Sequence, residues 1–123
     1  MRKGFTLIEL LVALGIFSVV MSAVVPAVIN FAQSNTKNEQ RMGAVVAAQQ
    51  RLDELRLTDP ATLPTSGSAT ANYDSGDRTY SVQTYYCSNT TYCATSTMRH
   101  IKVQVRYRNT LLYETETVYA QLS

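Results

Sequence analysis

Residues 10–29 carry no charge at all, and this run stands directly behind a single carboxylate, Glu9. About 20 apolar residues in succession are enough to cross a bilayer as a helix. Arg2 and Lys3 precede the run, and by the positive-inside rule they keep the N-terminus in the cytoplasm and send the rest of the chain outward. A secretory signal peptide, cut near Ala23 or Ala27, shares the basic start and the apolar stretch. Glu9 would then interrupt its apolar region, and the run is long for one. A plain signal anchor explains the length but gives Glu9 no reason to be there.

Glu9 is the informative residue. A carboxylate within hydrocarbon costs roughly 3 kcal/mol and normally has a partner. No Lys, Arg or His lies between Lys3 and Lys37. A cut after Gly4 would expose an α-amino group on Phe5, one helical turn from Glu9. That amine can come from the same chain or from a neighbour. Pairing across chains sets the register of an assembly, because a misaligned neighbour leaves a charge unpaired.

The stretch Lys3-Gly4-Phe5-Thr6-Leu7-Ile8-Glu9-Leu10 resembles the N-terminal motif of type IV pilins and of type II secretion pseudopilins. The resemblance is close over roughly the first 30 residues and loose beyond them. It implies cleavage by a prepilin peptidase between Gly4 and Phe5, methylation of the new Phe5 amine, and contact of Glu9 with that amine on an adjacent subunit. It also places Pro26 where such chains carry a helix-disrupting proline. The partners it implies are copies of the same chain and other pilins, the prepilin peptidase, an inner-membrane assembly platform with its ATPase, and membrane lipid before assembly. The implied location is the inner membrane first and an extracellular pilus or periplasmic pseudopilus afterwards. Adhesion, twitching motility, DNA uptake and secretion would then be properties of the machine.

Proline removes a backbone donor and clashes with the preceding turn. With Gly15, Ser18 and Ser22 nearby, Pro26 is expected to melt the helix locally as it packs into a filament. Plain tolerance of proline in a membrane helix is the alternative. Residues 32–57 are rich in good helix formers. Met42, Val45, Ala48, Leu52 and Leu55 recur at steps of three and four, which predicts an amphipathic helix with these residues on its buried stripe. Asp59-Pro60 stops it. One helix from about Thr6 to Thr58 follows, bending at Pro26 if anywhere. Residues 60–77 read as a loop.

Three strands are expected after that loop. Tyr80, Val82, Thr84 and Tyr86 alternate with polar neighbours, and Ile101, Val103, Val105 and Tyr107 alternate with Lys102, Gln104, Arg106 and Arg108. Residues 111–119 form the third. A three-residue loop, Arg108-Asn109-Thr110, pairs Val105 with Tyr113 and Lys102 with Glu116, whereas a two-residue loop sets Val105 against Glu114. The expected fold class is α+β, a long helix on a small antiparallel sheet of three or more strands. The expected divisions are a leader at 1–4, an apolar helix half at 5–31, an amphipathic half at 32–58 and a sheet domain at 59–123.

The cysteines Cys87 and Cys93 are too far apart for a CxxC pair, and a short disulfide loop in an oxidising compartment is the better reading. The lone His100 argues against a histidine metal cluster and reads as a surface residue. No nucleophile elbow, phosphate loop or metal spacing points to an enzyme or a cofactor. The net charge of +2 argues against a strongly cationic nucleic-acid binder. DNA as a partner rests only on a basic strip expected from Arg99, Lys102, Arg106 and Arg108 on an outer face. The eight tyrosines are better read as core and sheet surface than as stacking platforms. Asn89-Thr90-Thr91 matches a glycosylation sequon, which is commonly accidental. A minor pilin or pseudopilin, and a secreted or membrane-anchored binding module, are the competing readings.

Overall fold

A computed structural model of the chain describes residues 3–121. Met1 and Arg2, half of the expected leader, and Leu122 and Ser123 lie outside the described residues. Helix α1 spans Leu7–Arg56 without a break and is followed by a short 3-10 helix at Pro60–Thr62. Strand β1 is Ser68–Ser75, β2 Arg78–Tyr86, β3 Met98–Tyr107 and β4 Thr110–Ala120, with a second 3-10 helix at Thr90–Cys93. The strands form one antiparallel sheet in the order β1-β2-β3-β4. This is the α+β arrangement of a pilin-like fold. The chain divides into two compact units, one ending at Lys37 and the next beginning at Asn38.

In the second unit, one face of the helix and one face of the sheet bury each other. Ala44, Ala47, Ala48 and Leu55 meet Tyr80 and Val82 of β2 and Ile101, Val103 and Val105 of β3. Each fully buried Val or Ile contributes about 1.5–3 kcal/mol. Of the expected stripe, Ala48 and Leu55 are buried and Leu52 packs against the core, but Met42 lies off it. Met42 is 71% exposed, and the face turns by roughly 60° toward Ala44 and Ala47 at 100° per residue. Small side chains let the sheet come close enough for Tyr80 to cover Gly43, so the smallest residues mark the contact.

The sheet corrects two further expectations. Residues 60–77, expected to be a loop, contain β1. The signal for it was the Gly76–Asp77 pair: Gly76 has φ 62° and forms a two-residue turn between Ser75 and Arg78, the geometry of a tight hairpin. The pairing of Val105 with Tyr113 and Lys102 with Glu116 is as expected, but the β3–β4 turn has two residues, Arg108 and Asn109, with φ 49° and 63°. A bulge at Val105/Arg106 takes up the extra residue.

Candidate assembly site

Helix α1 begins immediately after Thr6, and Thr6 sets that boundary. Its Oγ1 accepts the Glu9 backbone N–H at 3.4 Å, and its carbonyl accepts the Leu10 N–H at 3.2 Å. Thr6-Leu7-Ile8-Glu9 therefore occupies an N-cap followed by N3, the spacing of a capping box. A carboxylate in the first turn also suits the positive end of the helix dipole. Sequence reasoning that looked only at membrane cost missed this local role for Glu9, although the Thr-x-x-Glu signal was available.

Lys3, Gly4, Phe5, Thr6 and Glu9 line one shallow cleft of about 370 Å³. The expected processing residues and the expected assembly carboxylate thus share one small surface. Every residue from 5 to 31 is exposed: Phe5 is 84% exposed, Ile16 62% and Phe31 69%. The helix is long and apolar enough to cross a membrane. Ser18 and Ser22 turn their hydroxyls back to the Leu14 and Val19 carbonyls at 2.8 and 2.7 Å, so neither presents an unpaired donor on that surface. Pro26 lies inside α1, which continues unbroken through it.

Away from this site, Cys87 and Cys93 form a disulfide with Cα atoms 5.8 Å apart, and residues 88–92 form the exposed tip of its loop. His100, expected at the surface, is only 3% exposed because this loop covers it. Its Nδ1 accepts the Asn89 backbone N–H at 3.4 Å and meets Ser88 Oγ at 3.2 Å; its Nε2 meets Glu116 at 3.3 Å. Arg99, expected in an outer basic strip, is 5% exposed on the other face of β3 and donates to the carbonyls of Leu63, Thr95 and Met98. The strip is further neutralised by ion pairs from Lys102 to Glu114 at 3.2 Å and Glu116 at 3.8 Å. The Lys102 contact and a hydrogen bond from Gln104 hold the Glu114 carboxyl below the usual glutamate range. All tyrosines but Tyr92 are buried or half-buried.

Arg51 is a structural residue that hydrophobic patterning passed over. It lies on the buried side of the helix, donates from Nε to Thr84 Oγ1 at 3.0 Å and from a terminal nitrogen to the Tyr86 hydroxyl at 3.1 Å, and pairs with Glu54. Tyr73 donates to the same Glu54 at 2.6 Å.

Residues 1–25 match the family described as the prokaryotic N-terminal methylation motif. The chain is also 42% identical over 65 residues to the type II secretion system protein I of Pseudomonas aeruginosa. Both matches support a type IV pilin/pseudopilin-like family. The aligned segment covers 53% of this pilin-like chain and 49% of that relative, so the chain spans about half the length of the curated relative it matches. No solved structure matches the pilin-like chain. The methylation motif covers the capped helix start and most of the exposed apolar run, the same residues that meet in the cleft.

Proposed function

We propose that this chain is a structural subunit of a type IV pilus-like filament, processed at its N-terminus and assembled through its helix. The observation that carries this reading is Glu9, a carboxylate at the head of a helix half whose apolar surface is exposed on every side. Such a surface needs lipid before assembly and other helices after it. Cleavage between Gly4 and Phe5 would put an amine where Glu9 of a neighbour can meet it. In this scheme residues 1–4 are the leader, 5–31 the membrane and filament-core half, 32–58 the amphipathic half and 59–123 the sheet domain. Pro26 would let the packed helix loosen locally. The subunit starts in the inner membrane with its N-terminus in the cytoplasm and ends in a pilus or pseudopilus. Its partners are further pilins, a prepilin peptidase, and an inner-membrane platform with its ATPase. It has a structural rather than an enzymatic role.

A second reading, a pseudopilin of a type II secretion system that primes assembly, is favoured by the similarity to the Pseudomonas aeruginosa protein. Mass spectrometry of the mature N-terminus tests what both readings share. The expected chain begins at Phe5 with a methylated amine. A start after Ala23 or Ala27, or an uncut Met1, contradicts both. Abundance in sheared fibres separates them, since a bulk subunit dominates the fibre and a priming subunit is present in trace.

A further inference from the structure

His100 is where the disulfide loop is tied to the sheet. Its backbone carbonyl accepts the Cys87 N–H at 2.8 Å and its backbone N–H donates to Cys93 Sγ, so both ends of the loop meet one residue. Its ring reaches the residues between them. Nδ1 lies 3.4 Å from the Asn89 backbone nitrogen and 3.2 Å from Ser88 Oγ, and the Tyr92 ring stacks on it with centres 6.3 Å apart. The bridge fixes the ends of the loop whatever the ring does. The tip, residues 88–92, is exposed and carries no charge.

The Asn89 backbone N–H can only donate, so it fixes the neutral ring: Nδ1 is the acceptor and the ring proton sits on Nε2, 3.3 Å from Glu116. Side chains alternate along β3, so His100 and Lys102 share the face away from the helix, while Ile101 packs in the core. The charges near the ring are Glu116 from β4 and Lys102 from β3. Lys102 Nζ is 3.8 Å from the other Glu116 oxygen and only 3.2 Å from Glu114. The loop adds the Tyr92 phenol, and Val118 stands opposite His100 on β4. An anion is therefore the nearest charge to the ring.

A proton added to the ring goes to Nδ1. Two N–H donors then face each other across the distance that now holds the Asn89 hydrogen bond. Ser88 Oγ can turn to accept the new N–H, but a backbone amide has nothing to accept with. The ring is buried, and its attraction to Glu116 grows with its charge, whereas the tip is exposed. The tip is the side that gives way. We propose that His100 is a pH-sensitive latch: protonation of its ring releases the 88–92 tip from the sheet while the Cys87–Cys93 bridge keeps the ends of the loop in place. The Asn89 contact needs a bare Nδ1, so it is present on the alkaline side and lost as pH falls. Imidazole is the side chain suited to change charge between about pH 5 and 8. The latch lies wholly within the second unit and does not depend on filament assembly.

The test uses the full chain, labelled with nitrogen-15, in detergent micelles. His100 is the sole histidine, so the ring nitrogen signals report its protonation without ambiguity. Amide exchange, corrected for its intrinsic pH dependence, reads the tip. Protection of Asn89 should fall about ten-fold, roughly the worth of one hydrogen bond, in step with ring protonation between about pH 8 and 5, while Val103 in β3 keeps its protection. His100→Asn places an amide oxygen near the position of Nδ1 and cannot titrate, so Asn89 protection should no longer depend on pH. Glu116→Gln removes the anion that favours the charged ring and should move the transition to lower pH. A ring that protonates while Asn89 stays protected would overturn the latch, as would a ring that stays neutral over this range. Equal loss of protection at Val103 would also overturn it, because the whole sheet would then be opening.

Discussion

The Tyr80 hydroxyl and the ring carbon that bears it occupy the space a Cβ at Gly43 would need. Tyr80 is 1% exposed, and it also packs against Tyr107 with ring centres 5.5 Å apart, so it has little room to move aside. Gly43→Ala should therefore destabilise the second unit despite alanine's better helix propensity. Overpacking costs about 1–3 kcal/mol and propensity returns about 1 kcal/mol. Thermal unfolding should show a lower midpoint, and the same substitution in a Tyr80→Phe background should cost less.

Arg51 ties the helix to β2 through Thr84 and Tyr86. Lysine cannot reproduce two donors in a fixed fork. Arg51→Lys should lose about 1–3 kcal/mol, because Thr84 is fully buried and would keep an unpaired hydroxyl. Denaturant unfolding should show a lower midpoint with an unchanged slope.

Burial raises the phenol of Tyr119 above its ordinary range, and it raises that of Tyr73 with help from its hydrogen bond to Glu54. A raised folded-state value means stability that is complete below the unfolded phenol value, about pH 10, and is lost as pH rises through the folded one. Unfolding midpoints should fall on the alkaline side, less steeply for Tyr119→Phe. Glu114 works in the opposite direction. Its lowered value adds stability above the ordinary carboxyl range that disappears as pH falls through the depressed one.

The Cys87–Cys93 bridge closes the loop over His100, and the His100 backbone N–H donates to Cys93 Sγ at 3.2 Å. Replacing both cysteines by alanine should cost about 2 kcal/mol by the loop-entropy argument. Hydrogen exchange at His100 and Asn89 should accelerate more than exchange in the centre of β3.

How far the sequence revealed this structure depends on which signal each element used. The β3–β4 register was legible because alternating Val, Lys and Glu residues leave one pairing in which charges and apolar groups both match. The two-residue turn was not, because a bulge compensates for it and leaves the register unchanged. Strand β1 escaped notice because Ser, Ala, Thr and Asn suit an edge strand but give little apolar alternation. The helix stripe was placed correctly at Ala48, Leu52 and Leu55 but not at Met42, because Met42 weighs more in hydrophobic patterning than Gly43 and Ala44, while close approach of the sheet selects the small residues. Burial of Arg99 and His100 depended on carbonyls and a loop brought in from distant residues, which no local pattern records. At the N-terminus the carboxylate and the apolar run are contiguous and easily seen, whereas the Thr6 cap was passed over although Thr-x-x-Glu is a local signal.

The central claim is that the charge of Glu9 is met by the Phe5 amine of a neighbouring subunit. Glu9→Gln is the most direct measurement, because glutamine still serves the N3 position of a capping box while carrying no charge. Filament yield from cells making this variant should collapse, while mass spectrometry still finds a mature chain beginning at Phe5 and fractionation still finds it in the membrane. Filaments at normal yield from the processed Glu9→Gln chain would contradict the account.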